Sequence, residues 1–294
     1  MNKLEELCNK NRENYQRYLK RMTESMNHST KGLIPVLAQG SKNILDVGCG
    51  SGVMLEVLEN EVKDAKLTGL DLNIDSINKL RHHTNWKLYH IDFMDMKDVN
   101  FDTIIFSSIL HEISSYNSDP KKRFTEIPIY EAFKKSYDLL DDNGSIILRD
   151  GLLSSEEDRH KKRVISFKKF DDFNWLYRFQ NDFRGFDNLD IDTSIKRLDD
   201  NRFLVSEGFL KEFLCTYTWG AESYPREINE RFGIITKNEW IKLLRSAKFK
   251  IETLIESKEE YGKFLSEKVS IQDESGKPYE YPNMSILIKA RKQR

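Results

Sequence analysis

Cysteine and proline are scarce in this 294-residue chain. The three cysteines, Cys8, Cys49 and Cys215, are widely spaced and match no CxxC or other metal-ligand pattern, which fits a reducing cytoplasm. The six prolines form no proline-rich tract, and no long low-complexity segment occurs. We therefore expect no flexible tether between parts of the protein.

An excess of one charge and long apolar runs are also missing. Lys plus Arg number 47 and Asp plus Glu number 48, which removes the chain-wide positive field that a general nucleic-acid binder would use. The amino terminus lacks the apolar stretch of a secretory signal, and no run approaches the roughly 18 apolar residues of a membrane span. We expect a cytoplasmic protein without membrane contact. Hydrophobic residues, at 38%, suffice for a substantial core.

Strand-like and helical patterns alternate through the first half of the chain. Apolar runs predict strands at 43–47, 66–71, 86–91, 101–107 and 145–149. Periodic segments predict helices at 53–61, 74–83 and 125–140, and turn residues at 141–144 end the last of these. This alternation predicts an α/β fold with a parallel sheet covered by helices on both faces.

The remaining segments suggest how the chain is divided. Residues 1–40 have apolar spacings near three and four, which predict amphipathic N-terminal helices. Residues 152–235 lack regularity and are rich in aromatic and charged residues, so we interpret them as a substrate cap inserted after the fifth strand. The core then comprises 41–151 and 236–294. Within the second part of the core, the spacing of Thr236 and Glu239 predicts a capping box. Two further strands are predicted to close the sheet, and the polar stretch 257–283 predicts an exposed loop.

Three alternate glycines follow the first predicted strand, in the segment Asp46-Val47-Gly48-Cys49-Gly50-Ser51-Gly52. Glycine lets the backbone approach a ligand where a Cβ atom would clash. The loop fits neither a G-x-G-x-x-G dinucleotide fingerprint nor a phosphate loop, because Val53 occupies the sixth position and no lysine follows. Asp46 would bind a cationic amino group and repel a pyrophosphate.

Two further carboxylates end the next predicted strands. Asp71 follows the glycine loop by about 20 residues, where an acidic residue can accept both ribose hydroxyls. Asp92 ends the third strand beside Phe93, a pair suited to the amino group and the ring face of adenine.

A family resemblance rests on four motifs that occur in this order: DVGCGSG, GLD, IDF and FDTIIFSSILHEI. They resemble the motifs of class I S-adenosylmethionine-dependent methyltransferases over about 43–150, with a weaker echo at 236–290. The resemblance implies a doubly wound, seven-stranded, mostly parallel sheet whose last strand is antiparallel, and S-adenosyl-L-methionine as cofactor. It implies cofactor contacts from Asp46, Gly48, Gly50, Gly52, Asp71 and Asp92. Neighbouring candidates for cofactor binding are Cys49, Leu72, Phe93 and Ser107.

Candidate catalytic and substrate residues follow from strand ends and from the inserted segment. His111, at the end of the fourth strand, has an ordinary pKa near working pH and could be a general base, or it could pack or cap the turn there. Arg149 and Asp150 could reach a substrate or form an internal ion pair. The insertion offers Tyr217, Trp219, Tyr224 and Arg226, which could line a pocket or form the insertion's own core. His111 and Glu112 alone are too few ligands, so no metal is predicted.

The acceptor hypotheses are ordered by what the motifs lack. The fourth motif has no Asn/Asp-Pro-Pro-Tyr/Phe pattern, and no Pro-Cys or Thr-Cys pair occurs, so two classes of base methylation are disfavoured. We favour transfer to an oxygen or nitrogen of a small or medium-sized metabolite. RNA remains an alternative, because basic stretches near 121–123 and 159–169 lie among aromatic residues, although acidic residues flank them. The third hypothesis is a non-catalytic, cofactor-binding regulatory module.

Overall fold

A computed structural model of the protein describes residues 30–187, 189–257 and 265–294. The strands are β1 (Asn43–Val47), β2 (Lys66–Asp71), β3 (Trp86–His90), β4 (Phe101–Ser107), β5 (Leu140–Gly151), β6 (Lys162–Phe167), β7 (Lys196–Arg197), β8 (Arg202–Ser206), β9 (Phe249–Ser257), β10 (Val269–Asp273) and β11 (Ser285–Lys292). The α-helices are α1 (Ile34–Leu37), α2 (Val53–Glu61), α3 (Ile74–Leu80), α4 (Leu110–Ser115), α5 (Ile127–Leu139), α6 (Glu156–Arg159), α7 (Asn174–Asp182), α8 (Glu207–Glu227) and α9 (Lys237–Ser246). Short 3-10 helices span Thr30–Leu33, Phe93–Asp95 and Phe170–Phe173.

Seven strands form the central sheet, in the order β3-β2-β1-β4-β5-β11-β9. Strands β1 to β5 are parallel, and β11 runs antiparallel to both β5 and β9. The predicted doubly wound, mostly parallel sheet is therefore confirmed. The chain winds outward from β1 to β3 and then returns to β4, so the carboxyl ends of β1 and β4 border the crevice where such sheets bind ligands.

The inner strands of this sheet, such as β1 and β4, are buried on both faces, as their nearly continuous apolar sequences require. Ile104 and Phe106 of β4 contribute to a core cluster that also includes side chains of α5 and α9, while Ile105 packs into a second cluster with α2 and α3. This division follows the alternation of side chains along a strand. Within the described ranges, no helix is both long and apolar enough to cross a membrane.

The predicted element boundaries differ from the structure mainly at two places. Strand β5 begins at Leu140 rather than at 145, and the predicted turn at 141–144 is an irregularity inside it, where the register with β4 shifts and Asn143 has a φ of 64°. The helices predicted within 1–40 lie mostly outside the described residues, which include only Thr30–Leu33 and α1 from that segment.

A second sheet is built largely from the inserted segment, in the order β10-β6-β8-β7, with every pair antiparallel. The prediction of an exposed loop at 257–283 was wrong at β10, which pairs with β6 from Val269 to Asp273. This strand also lies within 236–294, the range assigned to the core from sequence. Pairing between strands more than 100 residues apart leaves no local signal, which is why the sequence did not reveal it.

An aromatic core holds the inserted segment together. Phe167, Phe179, Phe203 and Phe213 are almost completely buried, and Phe167 contacts Phe203 and Phe213 edge to face, with ring centroids 6.0 and 6.1 Å apart. Helix α8 crosses this core and is interrupted at Gly220, which has a φ of 75° and a ψ of −175°. The inserted segment thus has a hydrophobic core separate from the two that cover the central sheet.

The capping box predicted at Thr236 is present. The Glu239 N–H donates to Thr236 Oγ1, and Glu239 Oε2 accepts from the Thr236 N–H at 2.7 Å. We expect Thr236→Ala to lower the free energy of unfolding by about 1 kcal/mol, because it leaves a backbone donor of α9 without its acceptor. Urea denaturation measures this loss. Lys242→Ala, at an exposed position of the same helix, is the control and should change stability by no more than about 0.5 kcal/mol.

Candidate active site

Three glycines shape the loop between β1 and α2. Gly48, Gly50 and Gly52 have φ values of 70°, 52° and 80°, in the left-handed region that disfavours side chains. A Cβ atom at Gly48 would lie 2.6 Å from the Ile109 side chain, which excludes larger residues there. At Gly50, the nearest atom of the described chain to such a Cβ would be 4.0 Å away, so the backbone is open to a ligand.

Two backbone donors fix the carboxylate of Asp71 at the end of β2. The Gly50 N–H donates to Oδ2 at 2.8 Å, and the Asn73 N–H donates to Oδ1 at 2.7 Å. Each carboxylate oxygen keeps a further lone pair for a ligand. Asp71 is therefore oriented toward the glycine loop and still able to accept hydrogen bonds from hydroxyl groups.

Asp46 is a buried carboxyl group beside a buried lysine. Only 2% of Asp46 and 4% of Lys31 is exposed. Burial, reinforced by the charge of Asp71, raises the pKa of Asp46 to about 8, although Lys31 opposes this shift. Burial, reinforced by Arg149, lowers the pKa of Lys31 to about 7, against the opposing charges of Asp150 and Asp46. Both groups are thus poorly solvated, and a zwitterionic ligand would supply the charges that water does not.

One cavity of about 230 Å³ connects these groups. Of the residues singled out from sequence, its wall includes Asp46, Gly48, Cys49, Gly50, Asp71, Ser107 and Arg226. It also includes residues given no binding role from sequence, among them Lys31, Ser108, Ile109 and Glu112. Because Arg226 belongs to α8, the cavity extends from the edge of the central sheet to the inserted segment.

The other predicted cofactor residues do not line this cavity. The Phe93 ring is buried against Phe106, with centroids 5.4 Å apart, so the prediction that it faces an adenine ring does not fit. Asp92 is exposed and caps the helix Phe93–Asp95, where its Oδ1 accepts from the Met94 N–H at 2.8 Å. Leu72 is 67% exposed beyond the end of β2. Gly52 shapes the loop rather than the wall.

His111 and Asp150 form a buried pair at the start of α4. His111 Nδ1 lies 2.7 Å from Asp150 Oδ1, and the other carboxylate oxygen accepts from the Leu110 and His111 N–H groups. Burial alone would lower the pKa of His111, but the charge and hydrogen bond of Asp150 outweigh it and raise this pKa to about 9. With this pKa, His111 carries a proton at neutral pH and is not free to accept one. His111 also does not line the cavity, and both observations conflict with its predicted role as a general base.

The substrate roles suggested for Arg149 and Asp150 also find no support in the geometry. Both side chains are at least 98% buried, and neither lines the cavity. Arg149 Nη1 donates to Ser108 Oγ at 2.7 Å, while Asp150 is occupied by His111, Leu110 and the Gly151 N–H. These residues hold the ends of β4 and β5 together rather than facing a substrate.

The structure brings further carboxyl groups to this region from the end of α8. Tyr116 donates to Glu230 Oε1 at 2.8 Å, and Arg226 pairs with the same oxygen at 3.4 Å. Burial and the charge of Glu230 raise the pKa of Glu112 to about 7 and that of Glu227 to about 8, although Arg226 lowers both. From sequence, only the adjacency of His111 and Glu112 hinted at this group. Glu230 is more than 100 residues away, and nothing local indicates it.

Most of the aromatic candidates of the insertion line a different cavity, of about 260 Å³. Tyr217 and Tyr224 form part of its wall, and their hydroxyl groups donate to Asp172 and Asp182 at 2.8 and 3.1 Å. Phe179 and Phe213 line it as well. Trp219 lines neither this cavity nor the one at the glycine loop. Only Arg226 of the predicted substrate residues therefore lies with the glycine loop.

Comparison with known proteins identifies the family. A family model described as a methyltransferase domain matches residues 13–254. This chain belongs to that methyltransferase family. It is also 34% identical over 100 residues to the fatty-acid O-methyltransferase of Mycolicibacterium smegmatis, a match that spans 33% of this chain and 35% of that protein. The chain thus matches about a third of the length of this relative.

Solved methyltransferase structures share the fold. Human N-acetylserotonin methyltransferase, crystallised with S-adenosylmethionine, gives a TM-score of 0.50 at 13% identity and covers 94% of this chain and 55% of its own. N-methyltransferase NodS from Bradyrhizobium japonicum WM9, crystallised with S-adenosylhomocysteine, gives 0.46 at 10% identity and covers 94% and 87%. At these identities the likeness concerns the fold alone. Together with the family match, this fold makes the chain a member of the methyltransferase family with the class I architecture, whose cofactor is S-adenosyl-L-methionine.

The residues around the glycine loop fit this cofactor chemically. Asp46 is a buried carboxyl group whose ionised form is poorly compensated in the free protein, so the ammonium of the cofactor's methionine part would stabilise its negative charge. Asp71 offers lone pairs suited to ribose hydroxyls, and Gly50 leaves its backbone open. The bound cofactor supplies an electrophilic methyl group on a sulfonium ion.

Replacement of Asp71 tests the assignment of the cofactor cavity. We expect Asp71→Ala to weaken binding of S-adenosylmethionine by about tenfold or more, because it removes an acceptor worth about 1.4 kcal/mol or more. Isothermal titration calorimetry measures the affinity. Asp95→Ala, which removes an exposed carboxylate outside the cavity and not among the predicted cofactor contacts, is the control and should change the affinity by less than about threefold. Equal effects of the two changes would contradict the cavity assignment.

Asp46 gives a prediction for stability against pH. An unfolded aspartate loses its proton near pH 4, whereas folded Asp46 keeps it until about pH 8, so folding takes up a proton in between. Without cofactor, this group therefore makes the protein less stable as pH rises through that window. Asp46→Asn should lose less stability than wild type between about pH 6 and about pH 8 in urea denaturation.

The same variant should bind S-adenosylmethionine about tenfold more weakly or worse, since an amide does not replace the anion. Asp95→Asn, at an exposed position, is the control for both measurements and should behave as wild type. If Asp46→Asn and wild type lost stability equally over this pH range, the buried-carboxyl account would be wrong.

Proposed function

We propose that this enzyme transfers the methyl group of S-adenosylmethionine to an oxygen or nitrogen atom of a small or medium-sized metabolite. The observation that carries the proposal is the shared wall of the cavity at the glycine loop. Arg226 of the inserted segment lines the same cavity as Asp46, Gly50 and Asp71. A metabolite held between the sheet edge and α8 would therefore lie beside the cofactor.

The cofactor would be held at one end of the cavity by residues whose charges are opposite to those of its own groups. Asp46 would bind the ammonium of the cofactor, Asp71 its ribose hydroxyls, and Lys31 its carboxylate. Lys31 lies within electrostatic range of Asp46 and lines the cavity, which supports the last of these roles. Exclusion of water by this buried wall would strengthen each of these contacts.

The acceptor end would be formed by Glu112 and Arg226. Both line the cavity. Their charges would stabilise a bound polar group in one orientation and disfavour the others. Methyl transfer is an in-line displacement, so an acceptor atom must be held close to the methyl carbon and aligned with the bond that breaks. We assign this orienting role to Arg226, whose guanidinium has a fixed arrangement of donors.

A small acceptor is favoured by the pairing of the basic stretches. Lys122 pairs with Glu131 at 2.6 Å, Lys161 with Asp158 at 2.7 Å, and Arg163 with Glu207 at 2.7 Å. Basic side chains that are already paired contribute less to binding a polyanion such as RNA. The name of the M. smegmatis relative, a fatty-acid O-methyltransferase, agrees with a small-molecule acceptor.

The test is transfer of a labelled methyl group from S-adenosylmethionine to separate pools of low-molecular-mass metabolites and of RNA. We expect label in the metabolite pool and none in RNA. Arg226→Gln should reduce transfer by about tenfold or more, because it removes an orienting group, while cofactor affinity stays within about threefold. Arg197→Gln, an exposed arginine of the insertion outside both cavities, is the control and should leave transfer unchanged.

Label found only in RNA would overturn the small-molecule proposal and favour the alternative acceptor. Cofactor binding without transfer to either pool would overturn it as well. Transfer that Arg226→Gln leaves intact would show that α8 does not orient the acceptor, which contradicts the observation on which the proposal rests.

A further inference from the structure

We propose that His111, Glu112 and Glu230 bind a divalent transition-metal ion at the junction of the core and the inserted segment. His111 and Glu112 lie in the first turn of α4, and Glu230 follows α8. One ligand atom from each residue, a ring nitrogen or a carboxylate oxygen, lies within 4.8 Å of the other two. The tertiary structure therefore completes a ligand set that has only two members along the sequence.

His111 is oriented as metal-binding histidines usually are. Its Nδ1 is held by Asp150 Oδ1 at 2.7 Å, and this leaves Nε2 directed toward Glu230. Histidine ligands of metals commonly bond a carboxylate through the second ring nitrogen, which fixes the ring and increases its basicity. Asp150 is itself held by the Leu110 and Gly151 N–H groups, so the ring has little freedom.

Glu230 is oriented in a similar way. Its Oε1 accepts from the Tyr116 hydroxyl at 2.8 Å and pairs with Arg226, which leaves Oε2 facing His111. Glu230 is 5% exposed and His111 is 6% exposed, so water has little access to either. Glu112 differs from both, because its carboxylate has no hydrogen bond or ion pair with any described residue, although it lines the cofactor cavity.

The spacing of the His111 and Glu230 ligand atoms fits an ion between them better than direct contact. His111 Nε2 and Glu230 Oε2 are 3.9 Å apart, which is too long for a hydrogen bond. Bonds of about 2.0–2.2 Å from one ion place its ligand atoms about 3–4 Å apart. A bound ion would take the place of the proton on His111.

The donor set limits the kind of ion. One imidazole with two carboxylates suits Mn²⁺, Fe²⁺ or Zn²⁺, whereas Mg²⁺ and Ca²⁺ prefer oxygen ligands alone. The ion would join α4 of the core to the segment after α8. It would also lie next to the cofactor cavity, because Glu112 belongs to both. Binding of the ion does not require the proposed acceptor, so the two proposals can fail separately.

The test is titration of the metal-free protein with Mn²⁺, with free ion measured by electron paramagnetic resonance. We expect one ion per chain in the wild-type protein. Glu230→Gln should weaken binding by about tenfold or more, because it replaces a ligand with a weaker, neutral donor. Glu227→Gln is the matched control, since Glu227 is a buried carboxyl group of the same region that is not one of the three ligands, and it should bind Mn²⁺ within about threefold of wild type.

A second readout is thermal denaturation with and without Mn²⁺. The ion should raise the melting temperature of wild type and of Glu227→Gln but not of Glu230→Gln. If Glu230→Gln does not fold, Glu112→Gln, at a partly exposed position, carries the same expectation. Absence of binding in folded wild-type protein, or equal binding by wild type and the folded ligand variant, would overturn the proposal.

Discussion

The carboxylate of Asp150 is the constraint on which the rest of the site depends. It is a buried anion at the end of β5, and it accepts from the N–H groups that begin α4, from His111 Nδ1 and from the Gly151 N–H. A buried charge is tolerated only when it is fully hydrogen-bonded and paired. Asp150 therefore fixes the direction of α4 relative to β5, and with it the positions of His111 and Glu112.

The two carboxyl groups of the cavity at the glycine loop, Asp71 and Asp46, differ in how well the protein compensates their charge. Asp71 is satisfied by backbone N–H groups and keeps lone pairs available, so its conformation is set before any ligand binds. Asp46 is buried with Lys31, and its raised pKa shows that its charge is poorly compensated. A poorly compensated carboxyl group lowers the stability of the free protein and favours binding of a cationic ligand. Functional sites commonly combine lower stability with stronger ligand binding in this way.

The inserted segment contributes to the wall of the cavity at the glycine loop. It has its own aromatic core and its own sheet. Strand β10, from the chain beyond β9, pairs with β6 and so joins this sheet as well. Helix α8 contributes Tyr224 to one cavity and Arg226 to the other. The interruption of the helix at Gly220 lies between its long buried part and these two residues. The proposed acceptor side is thus built from residues that are distant in sequence from the glycine loop.

The sequence by itself determined the central sheet, its helices and the residues at the centre of the cavity by the glycine loop, because these depend on local patterns. Alternating apolar runs fix the strands, and the glycine loop with Asp46 and Asp71 occupies the ends of neighbouring parallel strands, which the topology brings together. Only the tertiary structure decided the rest. Phe93 is a core residue rather than a cavity residue, and His111 is charged rather than neutral, because burial and the contact with Asp150 are set by long-range packing. The approach of Glu230 to His111 has the same origin, since helix and strand periodicity carry no information about which distant side chains meet.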